Sequence, residues 1–99
     1  MSFAEFQQST ARDGAPPADA SLALQALWHD ARGDWDRAHT CAQEDHGRDG
    51  SWAHAYLHRK EGDISNAGYW YARAGRKMPT GSVALESEWA AMAAELLAR

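Results

Sequence analysis

Apolar residues recur at three- and four-residue steps along most of the chain, and short polar breaks rich in Gly, Pro or Asp separate the runs. In ASLALQALWHDAR, Leu24, Leu27, Trp28 and Ala31 share one face and predict a helix over 20–32. Gly33 ends it, and Asp34 is a good N-cap for the next. WDRAHTCAQED then predicts a helix over 35–45 with Trp35, Ala38, Cys41 and Ala42 inward. Gly47 and Gly50 bracket the following break. A helix over 51–61 is stopped by Gly62, and Asp63 caps another over 64–75. On that helix Ile64, Ala67, Trp70, Tyr71 and Ala74 share a face. Over 83–98, Leu85, Trp89, Met92 and Leu96 form a narrow stripe, which places Glu88, Glu95 and Arg99 on the wet side. Residues 2–11 fit a short helix with Phe3 and Phe6 on one side, and DGAPPADAS after it breaks any helix.

The pattern repeats. A shift of 29 residues lays His29 on His58, Gly33 on Gly62, Asp34 on Asp63, Trp35 on Ile64 and Ala38 on Ala67. Helix, Gly-Asp turn, helix therefore occurs twice, over 20–46 and 50–76, and one helix follows. Such a period marks stacked helical hairpins with a closing helix. The expected fold is all-α: a segment 1–19, then one helical domain over 20–99. Composition agrees: Val83 and Ile64 are the only Val and Ile, while alanine is abundant. Five tryptophans supply large apolar area to a small core.

GDWDRAHTCAQ and GDISNAGYWYARA resemble the second half of a tetratricopeptide or Sel1-like repeat. Gly62, Asp63, Ala67, Tyr71 and Ala74 fit that pattern, as do Gly33, Asp34, Trp35 and Ala38; Ala42 and Asp45 depart from it. WAHAYLHRKEGDISNAGYWYARAGR also resembles a group of small bacterial proteins. The resemblance implies two stacked tetratricopeptide-like hairpins, a C-terminal cap and a non-enzymatic role in binding a protein or peptide. In that family the first helix of each unit carries the contacts, which here points to Arg59 and Lys60.

Charge refines the partner class. The net charge is −4, which disfavours nucleic acid. Residues 51–80 nevertheless carry five basic and two acidic side chains, and residues 1–50 carry four basic and nine acidic. This asymmetry allows an acidic partner or a second copy of the chain. Asn66, Tyr69 and Arg73, at i, i+3 and i+7, form a polar and aromatic contact set of the kind protein partners use.

The alternative is a small zinc-type metal-binding or metalloenzyme domain. His54 and His58 lie one turn apart beside the apolar arc of their helix, and Glu61 continues the stripe. A zinc-type ion needs at least a third ligand, for which Glu61 or His29 is available. Ala55 stands where the metalloprotease helix pattern requires Glu. Cys41 is the single cysteine, so neither an internal disulfide nor a multi-cysteine zinc site forms within one chain. No Gly-rich phosphate loop or Gly-x-Ser-x-Gly elbow occurs, and no cofactor is expected. With no basic-then-apolar leader and no long apolar run, a cytoplasmic protein without membrane partners is expected.

Overall fold

A computed structural model describes all residues, Met1–Arg99. The chain is all-helical, with six helices: α1 Phe3–Arg12, α2 Leu22–Ala31, α3 Trp35–Glu44, α4 Arg48–Glu61, α5 Ile64–Ala74 and α6 Leu85–Leu97. No helix is long and apolar enough to cross a membrane.

The two Gly-Asp turns are built alike. Gly33 and Gly62 have φ of +80° and +91°, the left-handed region that glycine enters at little cost. The Asp34 and Asp63 amides donate to the carbonyls of His29 and His58, each at 3.0 Å, closing the preceding helix. The same two aspartates then accept from the amides of Arg37 and Asn66, at 3.1 and 3.2 Å, and start the next. One residue type thus ends one helix and begins another, which makes α2–α3 and α4–α5 antiparallel hairpins.

Between the hairpins α4 starts at Arg48, three residues earlier than the helix over 51–61 that the sequence predicts. Gly50 sits in its first turn. A Cβ there would run into the carbonyl oxygen of Asp45, so glycine lets the end of α3 close on the start of α4. The payoff in packing is a central helix: α4 lies against α2, α3, α5 and α6. Its residues from Gly50 to His58 are all buried.

Helix α6 closes the two hairpins by lying along their first helices, α2 and α4. Trp89, Met92, Ala93 and Leu96 enter the core there. The Trp89 indole donates to the Leu27 carbonyl at 2.9 Å, which satisfies its one polar atom. Helix α1 folds back on α2 and α6, with Phe6 fully buried and stacked on Trp89 at 5.9 Å. Ser2 and Glu5 form a reciprocal capping box at its start.

Two side chains depart from the sequence pattern. Glu88, expected on the wet side of α6, is only 6% exposed. It accepts from the Arg59 guanidinium at 2.8 Å and from the Tyr71 hydroxyl. Ile64, expected inward, is exposed, because α5 turns its Ala67–Tyr71–Ala74 line to α4 instead. Trp52, at the edge of its arc, is covered by the Arg76 guanidinium, 3.8 Å above its ring.

Candidate metal centre

Three histidines converge where α3, α4 and α5 meet. His39 comes from α3; His54 and His58 come from α4, one turn apart. One ring nitrogen of each lies within 4.8 Å of one ring nitrogen of the other two. Nε2 of His39 and Nε2 of His54 are 3.0 Å apart, within hydrogen-bond distance. Two imidazole nitrogens bound to one tetrahedral zinc-type ion stand about 3.3 Å apart, so this pair is already close to a ligand geometry.

Aromatic packing fixes the rings. Trp35, one turn before His39, stacks on it at 4.8 Å with an 11° interplanar angle. Trp70 of α5 stacks on His54 at 3.9 Å and 13°. The Trp35 indole in turn donates to the Leu57 carbonyl of α4 at 3.0 Å, which ties α3 to the helix that carries the other two histidines. These tryptophans are only half-buried, and their outer role is to wall the imidazoles rather than to fill the central core.

Burial sets the protonation. His54 and His58 lie beside the apolar arc of their helix, yet α3 and α5 cover them from both sides, leaving 4% and 7% exposure. Removal from water holds the His54 pKa down to about 4, with repulsion from His39 and His58 adding to the effect. His39 is lowered too, by burial first and then by His58, while Glu61 and Asp36 oppose the shift. His39 and His54 are therefore neutral at pH 7, the form that binds a metal ion.

His58 is incompletely satisfied. Its Nδ1 is the one buried side-chain nitrogen or oxygen in the protein without a hydrogen-bond partner. The nearest carboxylate oxygen there is Oε1 of Glu61, at 3.5 Å, and the Asn66 amide lies 3.4 Å from its Nε2. A buried imidazole nitrogen left open costs free energy unless something else satisfies it.

The remaining sequence candidates fall in different places. His29 stands outside the cluster and packs on Trp28 at 5.2 Å; the third histidine beside His54 and His58 is His39. Glu61 stays beside the site, at His58. Arg59 and Lys60, expected on a partner surface, are both engaged in ion pairs within the chain, with the Arg59 side chain buried and Lys60 still exposed. Arg59 is clamped by Glu88 and also donates to the Thr80 and Val83 carbonyls. Lys60 pairs with the buried Asp30 carboxylate at 2.8 Å, which the Tyr56 hydroxyl also approaches, at 3.2 Å. Both cations face α2 or α6 because those helices cover the end of α4 that the repeat pattern left open. Tyr69 and Arg73 do lie at the surface, with Arg73 Nη1 donating to the Tyr69 hydroxyl at 3.2 Å, while Asn66 is half-buried at His58.

His39 carried no signal in the repeat pattern, since the 29-residue shift lays it on Gly68. Its one local mark is the four-residue step from Trp35. Only the packing of α3 on α4 brings it to His54, 15 residues away in sequence. Beside His54 opens a cleft of about 300 Å³ between the end of α3, the start of α4 and α5; Ser51, Trp70 and Arg73 help line it. Cys41 is half-buried and belongs to no such cluster; burial, with Glu44 nearby, pushes its thiol pKa up. Comparison with known proteins adds no neighbour: no family model, curated protein or solved structure matches the chain.

Proposed function

We propose that this protein is a small helical metal-binding module that holds a divalent transition-metal ion through His39, His54 and His58. The observation that carries the reading is the convergence of one ring nitrogen from each of the three histidines within 4.8 Å, with His39 and His54 held by stacked tryptophans. Imidazole ligands suit zinc, cobalt, nickel and copper and disfavour magnesium or calcium. Glu61 stands where it orients His58 or supplies a further ligand. The helical hairpins, tetratricopeptide-like on this reading, serve as the rigid frame that presents ligands from α3 and α4 to one point.

Zinc titration by calorimetry on untagged protein tests this. Binding below about 1 μM is expected, weakened at least about a hundredfold by His39→Ala or His54→Ala. His29→Ala should bind as the parent does. Zinc affinity untouched by His39→Ala would place the ion elsewhere, and no binding at all would remove the function.

A second reading has one observation of its own. Tyr69 is 55% exposed, and the neighbouring Arg73 has no carboxylate partner within the chain. A protein partner docking there is a non-enzymatic role compatible with metal binding. Tyr69→Ala should then release the partner in a pull-down without lowering Tm, and unchanged capture would discard that face.

A further inference from the structure

We propose that the cleft beside the histidines receives the anionic end of a small carboxylate or phosphate compound, which becomes the fourth ligand of the bound metal ion. The proposal rests on the metal-binding reading and names what that site would take. His54 belongs both to the histidine cluster and to the lining of the cleft, so a ligand in the cleft sits next to the coordinating group.

Charge gives the first argument. Three imidazole ligands, which bring no charge when they coordinate, leave a divalent ion with two positive charges and, in tetrahedral geometry, one open position. A charge taken partly out of water needs a matching charge. Within the fold Glu61 and Asp63 stand close, both on the side of His58 and neither on the cleft lining. The Asp45 carboxylate lines the cleft but accepts from the Gly47 amide at 2.9 Å and is not part of the cluster. An anion from outside would supply a counter-charge on the cleft side, where neither Glu61 nor Asp63 reaches.

The cleft's own donors give the second argument, and they do not depend on the metal. Arg73 makes no ion pair; its guanidinium lies over the Trp70 ring at 5.4 Å and reaches only the Tyr69 hydroxyl. Trp70, held against His54 on α4, therefore fixes a cation at the mouth of the cleft. Ser51, one turn before His54 on α4, lines the cleft and offers a hydroxyl there. A guanidinium and a hydroxyl are the donors that carboxylate and phosphate oxygens take. A volume of about 300 Å³ admits a small molecule.

The test uses the cobalt-loaded full chain, whose visible bands respond to a change of fourth ligand. Inorganic phosphate and acetate are titrated separately, and a saturable spectral change with either one supports the proposal and names the anion class. Arg73→Met should weaken that anion about tenfold while leaving cobalt affinity within about twofold. Bands unmoved by both anions, or an unchanged anion affinity in Arg73→Met, would overturn it. Metal-free protein is titrated in parallel by NMR. Equally strong anion binding there would remove the fourth-ligand role while the histidine site stands. A chain that gives no cobalt bands defeats the metal-binding reading itself, and this proposal with it.

Discussion

His54 shows how one residue type takes opposite burdens. An imidazole on the central helix of a small protein must be buried, and it is stable there only while uncharged. In the metal-free protein this has a pH signature. The folded pKa of about 4 lies below the unfolded value of about 6.5, so the unfolded chain takes up protons first as the pH falls. The stability is fully present above pH 6.5 and is lost progressively down to about pH 4. The loss should be about 2–3 kcal/mol by urea denaturation, and His54→Gln should remove most of that dependence. His39 shifts in the same direction and reinforces the effect. A stability profile flat between pH 7 and 4 would mean that the histidines are more solvated than this packing allows. The sequence carried the His54–His58 step and the acid after it, because helical periodicity alone brings those residues to one side. It did not carry their burial, which arises from α3 and α5 closing over α4.

At the scale of elements, the helices and both Gly-Asp turns were legible because each is set by residues within a few positions of one another. Asp34 and Asp63 cap from three residues away, and Gly33 and Gly62 adopt the backbone only glycine favours. What local pattern could not show was where α6 would lie. Its position decides the fate of Glu88, Arg59 and Lys60. Two carboxylates, Asp30 from α2 and Glu88 from α6, each meet a tyrosine and a cation of the second hairpin. Burial and these carboxylates push the pKa of both tyrosines up, so they remain donors. The two sets differ in solvation: the Arg59 side chain is 8% exposed and that of Lys60 is 39% exposed. Glu88→Ala leaves a buried guanidinium without its counter-charge and should cost about 3–5 kcal/mol. Lys60→Ala removes the outer partner of a wetter pair and should cost less than Glu88→Ala in the same denaturant titration. Equal costs would indicate that α6 is not held on α4 as described.

The whole molecule is one core, with a radius of gyration of 12.3 Å, close to the roughly 13 Å expected of 100 residues. Its charge asymmetry, read from the sequence as a sign of a partner, is partly consumed inside, where basic residues of the second hairpin pair with acids of α2 and α6. What remains distinctive is a point rather than a surface: three imidazoles from two helices, walled by two tryptophans. No stretch of sequence contains that point, since it exists only where the first hairpin packs on the second. X-ray absorption at the zinc edge of the loaded protein tests it most directly. The account predicts a first shell of nitrogen and oxygen at about 2.0–2.1 Å with the outer-shell signature of several imidazoles. A sulfur scatterer at about 2.3 Å would assign the ion to Cys41, and an oxygen-only shell without imidazole would contradict the histidine centre altogether.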